Sequence, residues 1–216
     1  MNETGGGRRA CSALEHMDSM GNQEVLSRGR VQFTSAGTGI RHSEYNADKL
    51  EGGVPVRFLQ IWAAPDRRGL RPAYQTGTFS DASKRDSMCP ILVPAAKAVG
   101  TGAGGSATAS GAARADGEPL FINNALRMYA SLLGAGATLT HDLAGRRAYL
   151  HVPIMPGSAG LALRAAGAGT DCVRLAPGDG AFVDGVDMLE MEGLGAPGGG
   201  GARVETEFVL LDMPRA

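Results

Sequence analysis

Apolar residues in this chain return at every second position in short runs, and Gly, Pro, Asn or Asp cuts the runs apart. That period belongs to the strand, whose side chains alternate between two faces, and not to the helix with its 3.6-residue repeat. Such runs cover residues 31–34, with Val31 and Phe33 on one face, and residues 56–62, 126–132, 148–152, 161–163, 172–175, 181–183, 188–192 and 205–212. Turn signals separate them at Ser19-Met20-Gly21-Asn22, at Pro177-Gly178-Asp179-Gly180 and through residues 193–201. Strands so short and so spaced predict an antiparallel all-β fold, a sandwich or a barrel, with helix limited to a turn or two around residues 81–86.

Composition agrees with that fold class. Gly and Ala each supply 33 of the 216 residues, aromatics make up 5% and hydrophobics 43%, which suffices for one or two modest cores but not for a large helical bundle. The small residues gather at the first thirteen positions and at residues 99–117, 157–169 and 193–201, where they decorate loops. Residues 99–117 are almost wholly Gly, Ala, Ser and Thr and are expected to form a flexible loop, because they bury too little apolar area to offset ordering entropy. Gly100-Thr101-Gly102-Ala103-Gly104-Gly105 matches a dinucleotide-binding spacing. So glycine-rich a segment produces that pattern by composition, however, and neither an amphipathic helix nor a Gly-Lys-Ser/Thr ending follows.

Charge and cysteine usage narrow the partners. Lys and Arg total 21 against 22 Asp and Glu, a net charge of −1, which gives no electrostatic footprint for nucleic acid or an anionic membrane. No apolar run approaches the roughly 18 residues of a membrane span, and the first residues lack the apolar core of a secretory signal. The expectation is a soluble, intracellular protein, cytoplasmic or nuclear. Cys11, Cys89 and Cys172 are odd in number and widely spaced, so they read as reduced thiols, and Asn2-Glu3-Thr4 reads as a chance sequon.

The most informative stretch is Gly37-Thr38-Gly39-Ile40-Arg41-His42-Ser43-Glu44-Tyr45-Asn46. In an extended segment residues i and i+2 share a face, so the His42 imidazole and the Glu44 carboxylate can converge on one ion. A mixed imidazole and carboxylate set suits non-haem iron or a neighbouring divalent metal. The alternative is a hydrogen-bonded pair at a strand end. Two ligands are fewer than the three protein ligands a catalytic first-row metal normally holds, and the other histidines are His16, His141 and His151. His16 shares a strand face with Leu14 and Asp18 and reads as a packed or solvated side chain. His151 alternates with Tyr149 on one face while Leu150 and Val152 take the other, the pattern of a structural strand.

The run Leu14-Glu15-His16-Met17-Asp18-Ser19-Met20-Gly21-Asn22, then Gly29, then Ser35 through Asn46, then Leu59-Gln60-Ile61-Trp62, closely resembles the pirin family, above all its bacterial members described as quercetin 2,3-dioxygenases. The likeness continues more loosely through residues 126–134 and 147–152, Gly178-Asp179-Gly180-Ala181 and Leu211-Asp212-Met213-Pro214. It implies a bicupin: two antiparallel β-barrels of jelly-roll type, the first holding a divalent metal, usually iron. The domains would then be an unrelated start at 1–12, a partial N-terminal cupin at 13–80 and a C-terminal cupin at 86–214. The family's His-Ser-Glu motif maps onto His42 and Glu44 as metal ligands. Its His-x-His pair should lie upstream of Leu14, so the N-terminal barrel is expected to be incomplete and the metal, Fe2+ or another divalent ion, weakly held or absent. His141 and His151 fall in the C-terminal barrel, which in this family resembles a cupin without metal.

The resemblance further implies a flavonol-like substrate cleaved with O2, with Glu44 also taking the substrate's hydroxyl proton. Two alternatives stand beside it: a non-enzymatic protein-interaction or transcription-cofactor role without direct nucleic-acid contact, and a truncated, vestigial copy. An incomplete barrel is also expected to uncover the apolar faces of Val31, Phe33 and Leu59 and to self-associate through its exposed edge.

Overall fold

The computed structural model describes residues 13–49, 53–95, 114–155, 157–167, 169–195 and 205–215. The start at 1–12 and most of the glycine-rich loop, with its dinucleotide-like spacing, lie outside the described residues. The strands are β1 (Leu14–Asp18), β2 (Gln23–Leu26), β3 (Arg30–Ser35), β4 (His42–Asn46), β5 (Ala73–Thr78), β6 (Cys89–Pro94), β7 (Leu120–Ile122), β8 (Arg127–Gly134), β9 (Thr138–Asp142), β10 (Arg147–His151), β11 (Leu161–Ala165), β12 (Val173–Leu175), β13 (Gly180–Val183), β14 (Met188–Gly193) and β15 (Glu205–Met213). One helix, α1 (Asp81–Lys84), interrupts them. The fold is the all-β class expected, and among the described residues its sheets stack as open jelly-roll layers and not as closed barrels.

A six-stranded sheet in the order β13-β10-β15-β8-β6-β7 forms the centre. Strand β15 shows why. Phe208 and Leu210 point into a core shared with the four-stranded sheet β12-β11-β14-β9, where Leu133, Leu143, Leu150, Leu161, Leu189 and Met191 are buried. The alternate residues Val209, Leu211 and Met213 pack into a second core with Phe79, Ile91, Leu120 and Met128. A strand apolar on both faces has to be covered on both, and this one is. Truncating a buried Leu such as Leu210 in these cores costs about 2–5 kcal/mol.

The second core is covered by the hairpin-like sheet β3-β5, whose Val31 and Phe33 pack against it. These two side chains are therefore partly buried, not uncovered as the sequence suggested. Gln75 on β5 continues the layer: its amide donates to the Phe121 carbonyl (3.0 Å) and accepts from the Phe121 N–H (3.1 Å), as a neighbouring strand would. On the outer side of β3-β5 lies the three-stranded sheet β2-β1-β4. Arg28, between β2 and β3, reaches Glu207 of β15 (2.9 Å) and Asp81 of α1 (3.3 Å), while the buried Lys84 ammonium lies 3.5 Å from Asp81 and 3.7 Å from Glu207.

One expectation is corrected and another is met. Residues 56–62 alternate as a strand should, yet they form no ladder; the segment is held by side-chain bonds instead, Arg57 to the Ile154 carbonyl (2.7 Å) and Asn124 to the Ala64 carbonyl (2.9 Å). With no adjacent strand to pair with among the described residues, Phe58, Leu59, Ile61 and Trp62 are exposed, Trp62 by 85%. The short helix expected around residues 81–86 is present and stops at Lys84, because Arg85 turns extended to bridge Leu132. Ser80 caps its start by accepting the Ser83 N–H (3.2 Å).

At the end of the first core Asp212 is fully buried. Arg146 donates to it through Nε, His141 Nε2 lies 3.2 Å away and Arg127 3.5 Å. Burial pushes the Asp212 carboxyl up, but hydrogen bonds from His141 and Arg146 and their charge outweigh it and hold the group below its ordinary value. A lowered folded-state pKa adds stability above the unfolded-state value of roughly 3.9 and loses it as pH falls through the folded-state value. Asp212→Ala is expected to lower unfolding stability at pH 7 by about 3 kcal/mol, since it strands two arginines. Denaturant titrations should also show less acid sensitivity below about pH 4 in the variant than in the parent; equal acid sensitivity would contradict this assignment.

Candidate functional site

The site is built on register. Antiparallel pairing sets His16 opposite Glu44 and Asp18 opposite His42 across β1 and β4, and sets His16 opposite Glu24 across β1 and β2. Directly opposed residues share a face, so these five side chains lie on one side of the outer sheet. That side faces β3 and β5, from which Arg30, Gln32 and Tyr74 project, the even-numbered partners of the odd-numbered residues buried in the core. A polar layer therefore separates the two N-terminal sheets.

Within it each group has a definite neighbour. Gln32 Nε2 donates to Glu44 Oε1 at 2.8 Å, and the Tyr74 hydroxyl donates to Glu24 Oε2 at 3.1 Å while lying 3.3 Å from Gln32 Oε1. Arg30 pairs with Glu24. The Tyr74 phenol is pushed up to about 12, first by burial and then by the Asp18 charge, with Arg30 opposing and Glu44 adding to the rise, so it remains a donor at neutral pH. Asp18 is held from below by its own hairpin: Met20 N–H (2.9 Å), Asn22 N–H (3.0 Å) and Asn22 Nδ2 (2.7 Å) donate to it. Burial raises the Asp18 carboxyl, but these bonds, with a contribution from His16, keep it below its ordinary value and ionised.

His16 occupies the middle. It is 1% exposed, its ring stacks against those of Tyr74 (5.2 Å between centroids) and His42 (5.8 Å), and neither ring nitrogen has a hydrogen-bond partner. His42 itself is exposed on the rim and Glu44 is half-buried. The sequence-derived pair thus lies two residues apart on one strand face, as its spacing required. Asp18, Glu24, Gln32 and Tyr74 were not singled out by sequence, and His16 was read only as a packed side chain. Its alternation with Asp18 was visible, but its neighbours across the sheet depend on pairing. His141 and His151 both have protein partners, Asp212 and the Asp179 carbonyl (3.0 Å) respectively.

Orphaned, buried imidazole nitrogens beside carboxylates are the donor chemistry a first-row divalent ion takes. Among the described residues, however, no three His, Cys, Asp or Glu side chains stand close enough to hold a metal ion, so the donor types fit while a full coordination shell is not assembled from them.

The backbone before β4 fixes where His42 emerges. Thr38 N–H donates to the Leu70 carbonyl (3.0 Å), and Ser19 and Arg41 exchange bonds, Ser19 N–H to the Arg41 carbonyl (2.8 Å) and Arg41 N–H to Ser19 Oγ (3.1 Å). Gly37 sits at φ +53°, and a Cβ there would run into the Leu70 carbonyl oxygen.

Layered, mostly antiparallel sheets with a polar interior in the N-terminal half define an all-β protein of jelly-roll type. A pirin family model matches residues 11–63, which contain all of β1 to β4. The quercetin 2,3-dioxygenase of Escherichia coli K12 is 47% identical over 66 residues, 31% of this chain and 27% of that protein. PA1210 of Pseudomonas aeruginosa, which bears the same enzyme name provisionally, is 38% identical over 139 residues, 64% of this chain and 50% of that protein. The chain thus spans half or less of the length of these curated relatives. Among solved structures, E. coli YhhW superposes with a TM-score of 0.66 at 23% identity, covering 95% of this chain and 69% of that one. Its nickel(II) complex gives 0.65 at 21%, covering 95% and 70%. Over residues 11–63 the chain is thus similar to the pirin family.

Gly37→Ala is expected to cost about 2–3 kcal/mol through the left-handed backbone and the clash with Leu70. Thermal unfolding measures it; a midpoint unchanged from the parent would show that the loop before His42 tolerates rearrangement.

Proposed function

We propose that this chain carries part of the metal-dependent dioxygenase centre of a pirin-type cupin, with His42 and Glu44 as ligands of a divalent ion, Fe2+, and a flavonol-like molecule as substrate. The observation that carries the reading is the β1–β4 register, which sets an imidazole and a carboxylate on the polar face of the outer sheet. The quercetin 2,3-dioxygenase names of its relatives and the nickel held by one solved pirin support it. The ion would supply Lewis acidity and an electron path to oxygen. The chain's own residues do the rest. Gln32 engages Glu44 Oε1 and leaves the second carboxylate oxygen to accept a proton from a substrate hydroxyl. Tyr74 has one hydroxyl proton to give, to Glu24 Oε2 or to Gln32 Oε1, and in the second arrangement it holds Gln32 with its amide toward Glu44.

The test is to titrate the full chain with Ni2+ by calorimetry, and to load it with Fe2+ under anaerobic conditions and follow oxygen uptake with quercetin as the probe. His42→Ala and Glu44→Ala are each expected to abolish measurable metal binding, and Glu44→Ala to lower oxygen uptake by at least about 100-fold. Uptake or binding undiminished in both variants would overturn the assignment.

A second reading, a protein-interaction role, is favoured by Phe58, Leu59, Ile61 and Trp62, which share one extended, unpaired segment. No helix among the described residues is long and apolar enough to cross a membrane. The segment is proposed to drive association of two copies. Multi-angle light scattering should show mass rising with concentration, and Phe58→Ser with Trp62→Ser should return it to that of one chain. A constant single-chain mass in the parent would refute the association.

A further inference from the structure

We propose that His16 is a positioning residue for Glu44, joining the rigid turn after β1 to the functional carboxylate; the proposal rests on the reading of Glu44 given above. The His16 ring lies between two carboxylates, with Nε2 3.5 Å from Asp18 Oδ2 and Nδ1 3.8 Å from Glu44 Oε1. Asp18 cannot follow the ring, because three donors of its own turn hold it. His16 cannot easily rotate either, because its ring is buried and stacked against Tyr74 and His42. The Gln32 amide and the His16 edge therefore both lie against the same Glu44 oxygen, Oε1, at 2.8 Å and 3.8 Å.

The orphaned nitrogens supply the second, independent indication. A buried imidazole with neither nitrogen hydrogen-bonded is a group that native structures normally satisfy. A role limited to ring stacking would be served as well by a Phe, given the contacts with Tyr74 and His42. An imidazole edge directed at Glu44 instead constrains where that carboxylate points, and side chains that orient a ligand in this way typically change metal affinity by about 10- to 100-fold when replaced. The signal was legible once the register was known: His16 is the residue directly across the ladder from Glu44.

His16→Phe keeps the ring stack and removes the nitrogens; His16→Gln serves as a second variant should Phe not be accommodated, with thermal unfolding confirming that each is folded. In the metal-free protein, scalar couplings across the Glu44 methylenes are expected to report one rotamer for the parent and averaging for the folded variant. In parallel, Ni2+ affinity measured by calorimetry should fall roughly 10- to 100-fold. A folded variant in which Glu44 keeps its single rotamer overturns the proposal, whatever its Ni2+ affinity. Unchanged Ni2+ binding in His42→Ala and Glu44→Ala would remove the metal reading of the site instead, while the Glu44 couplings still decide whether His16 positions that carboxylate.

Discussion

Everything else in the structure hangs on a strand that is apolar on both faces. β15 sends Phe208 and Leu210 one way and Val209, Leu211 and Met213 the other, and pairs on either edge with β8 and β10. Such a strand is stable only when both faces are covered, which forces layers onto both sides of the central sheet. The four-stranded sheet covers one side. β3 and β5 cover the other, and their own outer faces, freed from that task, carry the polar residues that meet β1 and β4. The chemistry of the candidate site is thus a consequence of alternation: the same strand that buries Val31 and Phe33 must present Arg30 and Gln32 to the opposite side.

That polar layer is costly to build, because Asp18, Glu24 and Glu44 are drawn between two sheets. Its charges are managed unevenly. Asp18 is satisfied by its own turn and Glu24 by Arg30 and Tyr74, while Glu44 receives one amide bond from Gln32 and keeps a free oxygen. His16, at the centre, receives none. An interior serving stability by itself would pair these groups or replace them with apolar ones. Both His16 nitrogens are among the buried polar atoms left without a hydrogen-bond partner, together with atoms of Arg30, Thr34, Arg147 and Arg164.

The segment at residues 53–64 makes the complementary point. It is rich in apolar side chains and free of charged residues but for Arg57, yet it pairs with no strand among the described residues and leaves Trp62 almost fully exposed. Pattern states what a segment can do, and only a neighbour with free backbone groups turns it into a strand. The converse failure occurred at β2 and β9, whose polar character hid them from a reading based on apolar alternation. Their alternate polar residues face a polar interior or solvent, where hydrophobicity carries no signal.

By itself the sequence determined the all-β class, the strands β8 and β10 to β15 to within a residue or two, and the spacing of His42 and Glu44, because each rests on local period or short spacing. It also carried the resemblance to the pirin family, through the block from Leu14 to Asn46. Tertiary structure decided what lies across from what. The placement of His16 between Asp18 and Glu44, the approach of Gln32 and Tyr74 from another sheet, and the burial of Val31 and Phe33 all depend on register and layer order. Those are fixed by contacts between residues far apart in the chain, which no local pattern encodes.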